Sequence, residues 1–264
     1  MKKVIIIFLL FCTIWTLPAQ EEVQRAQLSA RIGVVGTTLL IPNSTITSQS
    51  AYGYNTNTQL KIGLTGGLIV DIHLANKWFL QSGVMYGWHR FHQNQTAVYT
   101  QKNTHYSIAT ENLYKMHRIK VPVMVFYHGS LQENHFVAGL GAYVDAAVGG
   151  DIAYDASAVI TNPEGDVSRY TGTGNFNPFL KDSKYLFYSL AGDDYYKKYH
   201  LYTGNILNRF NVGLSAEIGY QVSKFYVGVH ADVGLLNVMN TEFAGESYKQ
   251  RLFNVQLLFA YKIN

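Results

Sequence analysis

The residues of this sequence that could ligate a metal ion or catalyse a reaction are histidines and a few serines. His89 and His92 are three positions apart, and on a strand such a pair points to opposite faces, so the two rings cannot share a metal ion. His73 and His230 could face one interior, where we interpret them as hydrogen-bonded residues rather than ligands. Ser82 and His89 belong to no arrangement of nucleophile, base and orienting group that stands out. We therefore expect no catalytic, metal-binding or cofactor-binding residues, and no enzyme activity.

Eight charged residues on predicted strands form a second candidate site. Charged residues make up only 14% of the chain, against roughly 25% in an ordinary soluble domain. Four of the eight are basic, four are acidic, and all lie on the polar faces of their strands. We predict that they form paired charges in a narrow interior, because an unpaired buried charge is costly. The eight residues are Arg31, Asp71, Arg118, Lys120, Asp145, Arg209, Glu217 and Asp232.

These charges lie on segments in which apolar and polar residues alternate with a period of two, which is typical of strands with two different faces. The clearest segment is Arg209 to Tyr220, in which Phe210 and Val212 begin an apolar row while Asn211 and Gly213 begin a polar one. We predict eight strands of this kind. They cover residues 28–34, 61–73, 78–89, 118–128, 136–148, 209–220, 225–235 and 253–262.

A soluble β-sandwich and a transmembrane β-barrel would both show this alternation, and three features favour the barrel. The clearest segments hold about 10 to 13 residues, while membrane strands need roughly 9 to 11. Their polar faces carry glycine and single charges, whereas a solvated face would carry many more charges. The connections also alternate between long and short, as in bacterial barrels. Long connections are expected at 41–59, 94–115 and 156–205, a medium one at 240–249, and short ones at 75–77, 129–134 and 221–224.

The predicted fold is therefore all-β: an eight-stranded antiparallel up-and-down transmembrane β-barrel over residues 26–264, with long extracellular loops. Aromatic residues near the strand ends are expected to form the girdles that such barrels place at the membrane interfaces. These aromatic residues are Trp78, Trp88, Tyr127, Tyr220, Phe225 and Tyr261.

The first 19 residues are predicted to be a cleaved signal peptide. Two lysines precede the apolar run Val4–Leu17, and Ala19 offers a small residue at the cleavage point. An N-terminal anchor helix is the alternative, but its uncharged run is short for a membrane span. Cleavage would remove the only cysteine, Cys12, and would leave 19 Lys and Arg against 17 Asp and Glu. Export and a barrel fold together predict the outer membrane of a Gram-negative bacterium.

The segment 156–205 is the most unusual connection because it contains seven tyrosines. A packed extracellular cap is one interpretation. A partner-binding surface is the other, since tyrosine supplies rigid contact area that is both apolar and polar. The tyrosines of such a surface would be Tyr185, Tyr188, Tyr195, Tyr196 and Tyr199.

Several strands resemble those of a known family. The stretch Met116–Tyr127 is similar to a strand with an Ile-Pro core in the PorT-like outer-membrane β-barrel proteins of Bacteroidota-type bacteria. Phe210–Tyr220 resembles the next recurring strand of that family, and Phe225–Asn237 with Phe253–Ile263 its last hairpin. The resemblance implies an outer-membrane barrel, and the best known member of the family assists type IX secretion.

Three functions stay open at this point. The first is a non-enzymatic structural or interaction protein of the cell envelope, an accessory to protein secretion. The second is a small-solute transport barrel, and the third is an outer-membrane enzyme that modifies lipid. We favour the first, because the interior of an eight-stranded barrel is only wide enough for side chains to fill it. The expected partners are outer-membrane lipid and envelope or secretion proteins bound through the extracellular loops. Neither nucleic acid nor oligomerisation is expected.

Overall fold

The computed structural model describes most of the chain that follows the predicted leader. It covers residues 26–40, 46–48, 52–101, 103–130, 134–180, 205–239, 242–243, 246–247 and 250–263. The predicted signal peptide 1–19 and the five candidate tyrosines at 185, 188, 195, 196 and 199 lie outside these residues. No helix in the described ranges is long and apolar enough to cross a membrane.

Twelve strands make up the described structure, and eight of them form a closed ring. The strands are β1 Ala26–Leu40, β2 Ile46–Ser48, β3 Tyr52–Ala75, β4 Trp78–Gln101, β5 Thr104–His128, β6 Asn134–Thr161, β7 Val167–Phe176, β8 Phe210–Val222, β9 Phe225–Gly234, β10 Glu242–Phe243, β11 Glu246–Ser247 and β12 Arg251–Lys262. The ring runs in the order β1, β12, β9, β8, β6, β5, β4 and β3. It closes because β1 pairs antiparallel with β12 on one side and with β3 on the other. The predicted eight-stranded antiparallel barrel is therefore confirmed.

Side chains alternate between the outside and the interior of the ring, as the period of two predicts. The outward row is apolar and exposed: Leu140 on β6 is 71% exposed and Phe210 on β8 is 67% exposed. The inward row contains most of the buried polar and charged side chains. The apolar exterior around the ring is called the apolar band below.

Three short connections join the strands at one end of the ring, called the short-turn end. Asn76 and Ser223 adopt positive φ angles of 51° and 50° in two of them, a conformation that Asn tolerates better than most residues. The third turn follows His128, where the Gly129 N–H donates to the Phe136 carbonyl. Both ends of the described chain, Ala26 and Ile263, lie at this end of the barrel, since Ala26 pairs with Ile72 and Ile263 donates to Leu28.

The opposite end, called the long-hairpin end, corrects the prediction of long loops. Residues 94–115 are not a loop, because β4 and β5 continue through them to a tight turn at Asn103. β6 likewise reaches Thr161, and β7 pairs with it along 167–176, so the connection 156–205 begins as a hairpin. With 24, 25 and 28 residues, β4, β5 and β6 are more than twice as long as a membrane strand needs to be.

A β-bulge in β6 marks the level at which the barrel leaves the apolar band. His117 pairs with Gly149 and Arg118 with Ala147, so Val148 has no partner on β5. The extra residue exchanges the two faces of the strand. Odd positions such as Ala147 face inward before the bulge, and even positions such as Ile152 are buried after it.

Candidate functional site

The lumen at the level of the apolar band contains an ion pair between strands that are not neighbours in the ring. Arg31 on β1 reaches Glu217 on β8, and its Nη1 donates to Oε1 at 2.9 Å and to Oε2 at 3.0 Å. The Tyr226 hydroxyl also donates to Glu217 Oε1, at 2.8 Å. Both charged side chains are buried, so these hydrogen bonds replace the water that each group has lost.

A second cross-lumen pair joins Lys120 on β5 to Asp232 on β9, with Nζ 2.9 Å from Oδ2. Ser215 and Gln256 donate to the same carboxylate at 2.6 Å and 2.9 Å. His230 connects the two pairs, because its Nδ1 lies 2.8 Å from Glu217 Oε2 and its Nε2 lies 2.8 Å from Asp232 Oδ1. An imidazolium at this position would donate to both carboxylates.

Arg118 and Asp145 form a third pair, on the neighbouring strands β5 and β6. Nε donates to Oδ2 at 2.8 Å and Nη2 donates to Oδ1 at 2.7 Å, which is the two-bond geometry of a strong arginine–carboxylate contact. Asp71 instead accepts a hydrogen bond from Gln81 Nε2 at 2.6 Å. Within the described part of the chain, Asp71 makes no ion pair.

Arg209 does not belong to the lumen, so its predicted place in the charge network is wrong. It precedes the first residue of β8, and its side chain is exposed rather than buried. Its Nη1 donates to the Ala147 carbonyl at 3.2 Å, and its guanidinium lies 4.6 Å from the centre of the Phe179 ring. His230 belongs to the network, in agreement with the prediction of a hydrogen-bonded interior residue, although it is not one of the eight predicted members. The sequence feature that indicates this role is the position of His230 two residues from Asp232, because this spacing places both side chains on the same face of the strand.

The long-hairpin end of the lumen is closed by an apolar cluster, called the outer plug. Strand residues contribute to it, but so do segments outside the ring, which fold inward over the opening. Its members are Leu39, Phe91, Tyr114, Met116, Ala147, Ile152, Phe176, Phe179, Ile206, Leu207, Val238, Met239 and Leu252. Backbone hydrogen bonds fix these segments, since the N–H groups of Ile206 and Leu207 both donate to the Pro178 carbonyl.

The short-turn end of the lumen is also filled. A smaller apolar cluster contains Met124, Phe126, Val137 and Tyr226. Below it, the His128 and His135 rings lie 2.8 Å apart through Nδ1 and Nε2. Two cavities among the lumen side chains measure about 10 Å³ and about 20 Å³, which is space for about one water molecule each. Side chains therefore fill the described lumen at every level.

The predicted interface aromatics all lie on the outside of the ring. Trp78 and Tyr127 pack edge to face with ring centres 5.2 Å apart, and Phe225 and Tyr261 are also 5.2 Å apart. These four and Tyr220 lie near the short-turn end. Trp88 is ten residues further along β4, roughly 33 Å of strand, and marks the other edge of the apolar band.

The remaining candidates do not assemble into a site. His89 faces the lumen, whereas His92 points outward. The prediction that these two histidines lie on opposite faces of their strand is therefore confirmed. His73 bonds to a turn carbonyl at the short-turn end, away from the His230 network. Ser82 donates to a backbone carbonyl on β5 and does not contact His89. In the described ranges, no three His, Cys, Asp or Glu side chains are grouped as metal ligands.

Three solved outer-membrane proteins show a remote similarity to this chain. Ail of Yersinia pestis, solved with a heparin analogue, is 10% identical and has a TM-score of 0.33, covering 91% of this chain and 100% of Ail. OprG of Pseudomonas aeruginosa is 10% identical with a TM-score of 0.36, covering 91% and 97%. Neisserial surface protein A is 10% identical with a TM-score of 0.30, covering 90% and 99%.

No curated protein matches the sequence. The model of the outer membrane protein beta-barrel domain, in contrast, matches residues 18–240. This match covers most of the chain and places the protein in a bacterial outer membrane. The chain therefore belongs to the family of outer membrane proteins with a β-barrel domain.

Proposed function

We propose that this outer-membrane barrel is a non-enzymatic, monomeric interaction protein of the cell envelope that serves as an accessory to protein secretion. In this proposal, the membrane-spanning ring is a rigid support, and the strand extensions at the long-hairpin end present the partner-binding surface outside the cell. The orientation follows the general rule that bacterial barrels have short periplasmic turns and long extracellular connections. The resemblance of Met116–Tyr127 to PorT-like proteins supports a partner from the secretion machinery.

The extension of β4, β5 and β6 beyond the apolar band is the observation that carries this proposal. A barrel without a binding role needs only strands that cross the membrane, roughly 9 to 11 residues each. β4, β5 and β6 instead hold 24 to 28 residues of continuous strand. β7 widens the extension by pairing with β6 from Val167 to Phe176. Tyr170 on β7 is 56% exposed, as expected of a residue available to a partner.

The filled lumen supports an interaction role over transport. A diffusing solute would have to pass the outer plug, the cross-lumen ion pairs Arg31–Glu217 and Lys120–Asp232, and the cluster at the short-turn end. Separating these ion pairs would leave buried charges unpaired, which is costly, so thermal opening of this path would be rare. The closed ring also leaves no free strand edge within the membrane, which supports a monomer.

Site-specific photo-cross-linking in living cells tests the proposal. We expect a photoreactive residue at Tyr170 to capture a defined envelope protein. The matched control is Val144, which is 54% exposed on the apolar band of β6 and should capture lipid alone. The absence of a protein adduct at Tyr170 and at other exposed positions of the extension would contradict the interaction role.

A liposome-swelling assay with the purified protein tests the transport alternative. We expect no flux of small sugars or amino acids above that of protein-free liposomes, because the lumen is filled. Measurable flux would favour transport and would contradict the rigid-support role of the ring.

A further inference from the structure

We propose that the outer surface of the barrel binds the phosphorylated headgroup of a lipid of the outer leaflet, between Arg90 on β4 and Lys115 on β5. This inference goes beyond the proposed interaction role, because it concerns the outward face at the upper edge of the apolar band. It does not depend on a protein partner.

The two cations lie where the exterior changes from apolar to polar. On β4 the outward row runs from Trp78 to Trp88, and Arg90 is the next outward position. On β5 the outward apolar row ends at Ile119, and Lys115 lies two outward positions further along. An apolar band about 25 Å tall is what such barrels expose to lipid, so a side chain directly above it meets the headgroups.

The sheet register makes Arg90 and Lys115 direct neighbours. They are opposite each other across β4 and β5, and like charges in this arrangement repel. One carboxylate partly offsets them, since Lys115 Nζ lies 3.2 Å from Asp151 Oδ2. Among the described residues Arg90 has no acidic partner, so the group retains a net positive charge that an anion would neutralise.

Arg90 is held in a geometry suited to an anion. Its guanidinium carbon lies 5.0 Å from the centre of the Trp88 ring, a cation–π contact that fixes the plane of the group. Among the described residues, its Nε is buried without a hydrogen-bond partner. A planar guanidinium presents parallel N–H groups that match phosphate oxygens.

The surface around Arg90 and Lys115 is open on one side and lined by aromatic side chains on the side of the apolar band. Gly149 lies opposite His117 in the register, and a Cβ at Gly149 would meet no atom within 4 Å, so the surface beside His117 is open. On the membrane side, Trp88 and Tyr86 face outward, and the Tyr86 hydroxyl hydrogen-bonds to His117. A ligand with a phosphate above and acyl chains below matches this arrangement, whereas free phosphate would leave the aromatic wall unused.

Trp88 provides a direct spectroscopic reporter. In a Trp78→Phe variant, Trp88 is the remaining tryptophan of the described residues. We would titrate this protein in neutral detergent with diphosphorylated lipid A, with its dephosphorylated form and with inorganic phosphate. The expected result is a saturable change in Trp88 emission with diphosphorylated lipid A alone. An equal response to dephosphorylated lipid or to inorganic phosphate would overturn the proposal.

Charge-removing variants give a second, independent readout. Arg90→Gln with Lys115→Gln should raise the half-saturating lipid concentration about tenfold or more and should reduce the lipid phosphate that co-purifies from membranes. The matched control is Lys77→Gln at the short-turn end, where Lys77 bonds to the Gly129 carbonyl. Unboiled gel mobility would verify that each variant is folded. Unchanged affinity and unchanged lipid phosphate in the folded double variant would contradict the assignment.

Discussion

Two parts of strand β5 bury opposite kinds of side chain. Within the apolar band, Arg118 and Lys120 face the lumen while Ile119 faces outward. Beyond the band, Met116 is buried in the outer plug and Lys115 faces outward. The backbone is continuous across the change, so the surrounding medium decides which chemistry is inside. In lipid the apolar side chains face the solvent, whereas in water they form a core, as in a soluble protein.

The barrel is therefore held together in two ways. The middle of the lumen, at the level of the ion pairs, depends on directional contacts, in which each carboxylate has specific partners. The outer plug depends on buried apolar area, which is less sensitive to direction. The ion-pair network and the outer plug should therefore respond differently to substitution.

Removing one member of the cross-lumen network should give the largest effect. Glu217→Ala would leave Arg31 buried without its carboxylate and would take one partner from His230. We expect a loss of about 3–5 kcal/mol in the free energy of unfolding. The measurement is the temperature at which the unboiled protein loses its compact gel mobility.

The double variant Arg31→Met with Glu217→Leu separates pairing from packing. Because apolar residues can replace a buried ion pair at little cost, the double variant should regain most of the lost stability. The control is Glu111→Ala, whose carboxylate is largely exposed. An unchanged transition temperature in Glu217→Ala would show that the network does not hold the lumen together.

Truncating a residue of the outer plug should have a smaller effect of a different kind. Leu207 is fully buried, so Leu207→Ala should cost about 2–5 kcal/mol through lost burial and a cavity. Leu236→Ala is the matched control, because Leu236 is 43% exposed. Urea unfolding of the barrel in lipid measures both. Solute flux in Leu207→Ala should stay at background, since the ion pairs below still fill the lumen, and raised flux would show that the plug alone closes it.

A matched pair of valines tests where the membrane ends. Val123 on β5 and Val98 on β4 are both 49% exposed, but Val123 lies within the apolar band and Val98 lies beyond it. Val123→Arg should cost about 2–4 kcal/mol, the cost of arginine near the bilayer midplane. Val98→Arg should leave the urea midpoint nearly unchanged. Equal losses in the two variants would contradict the boundary at Trp88.

The part of the barrel within the apolar band could be predicted from the sequence. Lipid outside and a polar lumen inside impose a strict alternation of apolar and polar side chains there. The segment 209–220 shows this clearly, and so do the three short turns. The three ion pairs of the lumen could be anticipated only as members of a set of eight charged residues. Which residue meets which, as in Arg31 with Glu217, depends on contacts across the ring that no local pattern contains.

The parts that the sequence did not predict lie beyond the band. The sequence predicts a loop at 94–115 because polar side chains such as Gln95 and Asn112 are buried there while the outward side chains are polar too, so the contrast between the two faces disappears. The bulge at Val148 then exchanges the faces of β6 without any signal in the pattern. The predicted position of Arg209 in the lumen is wrong because Arg209 precedes the first residue of β8. The alternation along the strand therefore does not determine where its side chain points.

The pairing of β1 with β12 has a consequence for biogenesis. The seam joins Ser29 to Lys262 and Leu40 to Arg251, so the first and last strands of the barrel must find each other. Contacts between such distant residues slow folding, and a chain that ends before β12 would retain two unpaired strand edges. The ring can therefore close only after the last strand has been delivered, and an incomplete chain would present aggregation-prone edges to the periplasm.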